Sequence, residues 1–278
     1  MAAPILRYPG AKWNIAKWIC AHMPPHEVYL DAYFGSGGVF FTKPPSRVET
    51  INDIDGDVVN LFQVLRKSPQ ELADMVRFTP YARAEFLPVI GACGVLQKTG
   101  DSLENARRFL VRCWMAHGTR TSDRSGWRHD VQGRQGKNVA RMWQGVPDRI
   151  LEYAERLRDA QIECKPALEV IKRYRYPQVL IYADPPYVLS TRRGRMYANE
   201  MTDTDHIELL ETLELHPGPV LLSGYACELY DSRLQHWERR TRQTTAEKGQ
   251  SRQEVLWLNP VAARSLGTLF DSKLPCQG

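Results

Sequence analysis

Short apolar runs of strand length recur along this chain, each followed by a stretch of helical spacing, and that alternation constrains the fold more than any single residue. Val28 to Ala32, Glu49 to Ile51, Gln178 to Ala183 and Val220 to Ser223 read as strands, with Ile162-Glu163-Cys164 a shorter run and Arg239 to Thr245 and Glu254 to Leu258 two late candidates. Between them Val59, Phe62 and Leu65 share one helical face, and Leu103, Ala106, Leu110 and Trp114 form a stripe in a helical stretch from about Tyr81 to Met115. Helices are also expected from Asp148, over Ala167 to Tyr174 and over Asp205 to Leu213, with Ser68-Pro69-Gln70-Glu71 fitting a capping box. Strands separated by helices give an α/β fold with a mostly parallel sheet. From Gly118 to Gly145 the apolar period stops, and a polar stretch that long inside a compact chain is expected to be a functional loop or a mobile segment. Residues from about 70 to 147 read as an insertion beside the sheet.

Hydrophobic residues make up 43% and charged residues 25% of the 278, a globular balance. No apolar run approaches the ~20 residues that span a bilayer, so no membrane partner is expected. Arg7, Pro9, Gly10 and Lys12 interrupt the first residues, leaving no apolar core of signal-peptide length, and a cytoplasmic chain is the expectation. The six cysteines are far apart and no histidine lies at ligand spacing from them, so neither a disulfide framework nor a metal is expected. The formal net charge is +5, and the basic excess lies between Asn105 and Arg141, where nine Lys and Arg residues face only Asp123 and Asp130. That distribution points to a nucleic acid.

Three unusual sequences fall at strand ends, where a doubly wound sheet binds its ligands. In Asp31-Ala32-Tyr33-Phe34-Gly35-Ser36-Gly37-Gly38 the glycines allow positive φ and a close backbone approach, either to cup a nucleoside or simply to turn the chain. Asp53 follows at about the 20-residue interval expected of an acid that holds ribose hydroxyls, with Asp55 competing for the role. Together they favour an adenosine-type cofactor. In Asp184-Pro185-Pro186-Tyr187 the prolines fix φ and remove backbone donors, leaving a carboxylate, oriented carbonyls and an aromatic face. An exocyclic amino group on a flat heterocycle needs those acceptors and a ring to stack on.

These motifs, taken in order with Arg7-Tyr8-Pro9-Gly10-Ala11-Lys12, Asn52-Asp53-Ile54-Asp55 and Glu254-Val255-Leu256-Trp257, resemble the Dam-like DNA adenine methyltransferase family. The resemblance implies a Rossmann-like class I methyltransferase domain, residues 1–69 and 148–278, with an inserted, largely helical target-recognition region, 70–147. It implies S-adenosylmethionine as cofactor, held by Tyr8, Lys12, Asp31, Phe34, Gly35, Ser36, Gly37, Asp53 and Asp184, with Lys12 suited to the methionine carboxylate. Tyr8 stands where that motif often has tryptophan, keeping an aromatic face.

The resemblance also implies methyl transfer to adenine N6 in double-stranded DNA, without a metal, by a monomer or weak dimer. Asp184, Pro185, Pro186 and Tyr187 would form the catalytic motif. N6 is a poor nucleophile because its lone pair is delocalised, and accepting its N–H bonds would localise that pair. The atom is inaccessible in a stacked duplex, so the base must flip out, with Tyr187 as stacking partner. Arg120, Arg124, Arg128 and Arg134 of the insertion, and Arg192, Arg193 and Arg195 after the Asp184 motif, are the expected DNA contacts, at phosphates or at guanine edges. Competing readings are methyl transfer to cytosine N4, RNA adenine or a glutamine amide, an inactive DNA-binding relative, and a nicotinamide oxidoreductase, which would leave Asp184-Pro185-Pro186-Tyr187 unexplained. Ser223-Gly224-Tyr225 either borders the base pocket or is a plain turn. His206 is expected to be exposed near a helix start, with no part in the chemistry.

Overall fold

The computed structural model describes residues 4–91, 95–120, 125–130, 138–192, 194–245 and 251–271. In chain order these form α1 (Ala16–Cys20), β1 (Val28–Asp31), β2 (Val48–Asn52), α2 (Gly56–Lys67), α3 (Pro69–Arg77), α4 (Arg83–Ile90), α5 (Ser102–Met115), α6 (Val139–Gln144) and α7 (Val146–Leu157). There follow β3 (Ala160–Glu163), α8 (Ala167–Arg173), β4 (Val179–Ala183), α9 (Asp203–Glu214), β5 (Val220–Tyr225), α10 (Glu228–Arg233), β6 (Glu238–Thr245), β7 (Ser251–Leu258) and α11 (Pro260–Asp271).

The strands make one sheet in the order β3-β2-β1-β4-β5-β7-β6. The first five are parallel, Leu30 lying between Thr50 and Ile181, while β7 joins β5 and β6 joins β7 antiparallel. From β1 the chain winds outward to β2 and β3, then returns to start β4 on the other side. That reversal leaves a crevice between the carboxyl ends of β1 and β4, the place where such sheets bind ligands.

Side-chain alternation divides the core in two. Leu180 and Tyr182 of β4, Tyr29 of β1 and Leu221 of β5 face one apolar layer, with α2, α3, α5 and α7. Val179, Ile181 and Ala183 of the same strand, with Leu30, Val220 and Leu222, face a second layer that holds Val170 of α8 and Leu209, Leu210 and Leu213 of α9. Burial on both faces explains why β4 reads as an unbroken apolar run. Each such Leu or Ile contributes about 1.5–3 kcal/mol by leaving water.

The helices between β2 and β3 share the first layer with the sheet, α2 packing on α5 and α7, and α3 on α7. Two tryptophans tie this region together: Trp114 Nε1 donates to the Ile5 carbonyl at 2.8 Å and Trp143 Nε1 to the Thr79 carbonyl at 2.7 Å.

Several local expectations need correction. The stretch from Tyr81 to Met115 is two helices, because Pro88 withholds an N–H from α4 and the helix ends at Gly91, whose φ is 51°. Ser68 makes no side-chain cap for α3, since it also terminates α2 with ψ 54°, outside the extended region an N-cap adopts. A capping box does occur, between Thr202 and Asp205 at the start of α9. Within the polar stretch, α6 forms on two buried apolar residues, Val139 and Trp143, too few to register as a period. His206 is fully buried, its Nδ1 2.9 Å from the Tyr230 hydroxyl, and burial pushes it down to about 4, so it stays neutral. The helical spacing of Leu209, Leu210 and Leu213 turns His206 inward with them.

Candidate active site

A cavity of about 270 Å³ occupies the crevice between the ends of β1, β2 and β4. Each wall follows from a strand end. After β1, the chain turns through Gly35 (φ 52°) and Gly37 (φ 69°). A side chain at Gly37 would be strained by that φ and would collide with the Phe34 and Phe41 rings, at 2.5 and 2.6 Å from its Cβ. The turn is fastened from β2: Gly35 N–H donates to Asp53 Oδ2 at 2.7 Å, and the Phe34 N–H to the Asn52 carbonyl at 2.9 Å. Asn52 also braces three strand ends, donating to the Ala32 and Lys165 carbonyls and accepting from the Lys165 N–H, all at 3.1 Å. Ser36 is buried and accepts from Trp13 Nε1 at 3.1 Å.

Asp53 and Asp55 both line the cavity. Asp53 Oδ1 accepts from the Asp55 N–H at 2.9 Å, and Asp55 caps α2 through Oδ1 while its Oδ2 accepts from the Tyr8 hydroxyl at 3.2 Å. Each retains lone pairs for a further donor. Burial pushes Asp53 up to about 6 and Asp31 to about 8. Asp31 accepts from the Tyr29 hydroxyl through Oδ2, and its buried Oδ1 has no protein donor.

Lys12 is buried, and its ammonium donates to the Gly10 carbonyl at 2.6 Å and pairs with Asp184 Oδ2 at 2.9 Å. It also lies 4.7 Å from the centroid of the Tyr187 ring. Burial disfavours this cation, but the charges of Asp184 and Glu254 outweigh it and hold Lys12 protonated above the ordinary lysine range. Burial pushes Asp184 up to about 6 in spite of Lys12. The other oxygen of Asp184, Oδ1, is buried without a hydrogen-bond partner. Pro186 lines the cavity beside it, whereas Tyr187 is buried just behind the motif, its hydroxyl donating to Glu254 Oε2 at 2.6 Å.

Tyr197 was not singled out from the sequence, yet it closes one wall. Its ring lies 6.2 Å from Tyr8, and its hydroxyl sits where a Cβ of Gly10 would stand, at 2.1 Å, so only glycine (φ 67°) fits there. Glu200 shapes this loop by accepting from the Met196 and Tyr197 N–H groups at 2.6 and 3.0 Å and by gripping Arg192. Arg192, expected at a phosphate, is therefore turned inward, with its side chain 4% exposed. No apolar or charge period links Tyr197 to Gly10, so sequence alone held no signal for the contact.

Of the other arginines, Arg120 and Arg195 are exposed and Arg128 is half-buried, while Arg124, Arg134 and Arg193 lie outside the described residues. Part of the basic excess serves the fold: Arg107 and Arg108 pair with Glu104 at 2.7 Å, and Arg107 reaches Glu85 at 3.1 Å. Residues 115–117 and 126–128 pair antiparallel, through the His117 N–H to the Gly126 carbonyl at 2.8 Å and the Arg128 N–H to the Met115 carbonyl at 2.7 Å. Among the described residues no cluster of His, Cys, Asp or Glu could hold a metal, and no helix is long and apolar enough to cross a membrane.

Strand order and cavity together define a Rossmann-like α/β fold with its candidate site at the sheet reversal. The chain belongs to the D12 class N6 adenine-specific DNA methyltransferases, whose family model matches residues 8–246. It is 22% identical to a DNA adenine methylase of Salmonella typhi and 23% identical to one of Escherichia coli K12, each over 236 residues, 79% of this chain and 80% of the relative. Among solved structures it is similar to a putative methyltransferase of Escherichia coli (11% identity, 92% of both chains, TM-score 0.38) and to a methyltransferase from Geobacter sulfurreducens (8% identity, 88% of this chain and 76% of that one, TM-score 0.36). The reaction is accordingly methyl transfer to N6 of adenine in DNA.

Proposed function

We propose that the cavity holds S-adenosylmethionine and that an adenine flipped out of duplex DNA is presented to Asp184-Pro185-Pro186-Tyr187. One observation carries the reading: Asp184 offers a buried oxygen with no protein donor beside the cavity, while its other oxygen is fixed by Lys12. A buried acceptor of that kind costs free energy unless a ligand N–H completes it.

The residues fit the cofactor by the chemistry of their donors and acceptors. Asp31, with its orphaned oxygen, suits a cationic amino group. Asp53 and Asp55 suit ribose hydroxyls, and Gly35, Ser36 and Gly37 let the backbone approach closely beside Phe34 and Tyr8. When bound, S-adenosylmethionine supplies an electrophilic methyl on a sulfonium. Asp184 Oδ1 and the Pro185 carbonyl would accept the two N6–H bonds, withdrawing the nitrogen lone pair from the ring π system and localising it on nitrogen, and Tyr187 would supply the aromatic surface. Lys12 keeps Asp184 ionised and fixed. After transfer the amino nitrogen is acidic, and its proton leaves through the Asp184 carboxylate to solvent. Orientation of this kind contributes up to about 7–11 kcal/mol.

Residues 1–69 and 148–278 then serve as the catalytic part and 70–147 as target recognition, with Arg120, Arg128 and Arg195 on double-stranded DNA, joined by Arg124, Arg134 and Arg193. Arg192 acts as the brace of its loop. The test is to incubate the chain with labelled S-adenosylmethionine and unmethylated plasmid, then map the modified bases. Label on adenine N6 at a defined site is expected, and label on cytosine or none at all would overturn the reading. Asp184→Ala should lower the rate well beyond tenfold, a barrier increase above about 1.4 kcal/mol.

A further inference from the structure

The closing sequence motif, Glu254 to Trp257, has no part in the chemistry above, and neither has Tyr225. In the sheet they meet: β7 pairs with β5 so that Glu254 is opposite Tyr225, both pointing to the face that carries Lys12 and Tyr187. Glu254 is buried, and a carboxylate inside a sheet is costly unless it is hydrogen-bonded. It accepts from the Tyr187 hydroxyl at 2.6 Å, and a hydrogen bond to a charged acceptor is about twice as strong as a neutral one. The Tyr225 ring meets the Tyr187 ring edge to face at 4.5 Å and 74°, and Arg252 covers Tyr225 at 5.1 Å. The Lys12 ammonium lies 4.7 Å from the Tyr187 centroid and holds Asp184.

Tyr187 follows two prolines, which fix the backbone φ before it. The remaining freedom of the motif is in the tyrosine side chain, and that freedom is removed at its far end by a residue 67 positions away. We propose that Glu254 is a positioning residue for methyl transfer: by anchoring the Tyr187 hydroxyl it fixes the ring on which Lys12, and through Lys12 the Asp184 carboxylate, are registered. This rests on the reading of Asp184-Pro185-Pro186-Tyr187 as the amine-accepting motif. Glu254 touches neither base nor methyl donor, so its contribution is expected in the transfer step rather than in cofactor affinity.

The experiment uses the full chain with S-adenosylmethionine and two unmethylated duplexes, one with adenine at the target to read transfer and one with 2-aminopurine there to read base flipping alone. It compares Tyr187→Phe, Glu254→Gln, Glu254→Leu and the Tyr187→Phe/Glu254→Leu double variant. Tyr187→Phe and Glu254→Leu should each slow single-turnover transfer about tenfold, the rate equivalent of one such hydrogen bond, with cofactor affinity unchanged and an altered 2-aminopurine signal. Glu254→Gln, whose amide oxygen still accepts, should recover most of the rate, and the double variant should be no slower than Tyr187→Phe alone. Losses that multiply in the double variant, or a Gln variant as slow as the Leu variant, would overturn the proposal. If Glu254→Leu fails to fold, Glu254→Ala takes its place both alone and combined with Tyr187→Phe. Wild-type rates in the Glu254 variants beside an inactive Asp184→Ala would sink this inference and leave the motif reading standing, whereas an active Asp184→Ala would sink that reading itself.

Discussion

Two buried ionic clusters sit at opposite ends of one sheet, and they titrate in opposite directions. At the amino end, Glu49 of β2 accepts from Lys43 at 2.5 Å, from the Ser46 N–H at 3.0 Å and from both terminal nitrogens of Arg156. The lysine is further held by the Pro44 carbonyl and Ser46 hydroxyl, at 2.7 and 2.8 Å, and the guanidinium lies over Phe40 at 3.9 Å. Burial alone would raise Glu49, but Arg156 and Lys43 hold it below the ordinary glutamate range. At the carboxyl end, Asp184 has Lys12 on one oxygen and no partner on the other, Asp31 has Tyr29 on one oxygen and no partner on the other, and both stand above the ordinary aspartate range. Burial raises all three carboxylates, and only at Glu49 do the surrounding donors outweigh it. A closed cluster braces the fold, whereas an open one holds acceptors in readiness for a ligand and gives up stability to do so.

The comparison breaks most visibly at the closed end. Glu49→Ala leaves Lys43 and Arg156 as buried cations without their anion, a loss of about 3–5 kcal/mol. The midpoint of thermal unfolding should fall by many degrees while single-turnover methylation by the molecules still folded stays near wild type. A loss of activity without a loss of stability would mean that the two ends do not divide the work. The folded pKa of Glu49 is depressed, so its stabilisation is present above the ordinary glutamate pKa of 4.5 and disappears as pH falls through the lower, folded value.

Asp31 reverses the sign. Its folded pKa of about 8 exceeds the ordinary 3.8, so between those values the native state retains a proton that the unfolded state has released, and stability falls as pH rises across that window. Asp31→Asn should remove this slope and stabilise the cofactor-free protein at pH 8 by at least about 1 kcal/mol, measured by urea unfolding. It should weaken S-adenosylmethionine binding at the same time. A destabilised Asn variant would mean that Asp31 is completed within the protein and belongs with the closed cluster.

The open end was more legible in the sequence than the closed one, for a physical reason. Ligand-binding residues follow strand ends and sit in short contiguous motifs, so Asp31 to Gly38, Asp53 and Asp184 to Tyr187 stood out as local departures from apolar periodicity. Glu49, Lys43 and Arg156 are brought together across more than a hundred positions by β2, the turn before it and α7, and each alone resembles a solvated charge. The same holds within the site. Lys12 was read toward the cofactor, but only the fold brings its ammonium to Asp184, and only strand pairing brings Glu254 to Tyr187. The parallel pairing of β1 to β5 was legible from alternating strands and helices, while α6 and the break between α4 and α5 depend on single residues, Trp143, Pro88 and Gly91, whose effect no period reveals.

The smallest effect expected is also the most diagnostic of an open cluster. Asp184 and Asp53 are both pushed up to about 6 by burial, so acidification from pH 7.5 to 5.5 protonates both. Protonated Asp184 no longer offers a free carboxylate to the amino group, and the transfer rate measured at saturating S-adenosylmethionine and limiting DNA should halve near pH 6, then fall about tenfold per unit below it, the slope of one ionisation. Protonation of Asp53 acts on the turn at Gly35 and on the ribose side of the cavity, so it should emerge in the cofactor affinity. The two limbs separate because saturation removes the second and leaves the first. If the limb at saturating cofactor and limiting DNA lay near pH 4, Asp184 would have a second donor from the protein itself, and its cluster would be closed like that of Glu49.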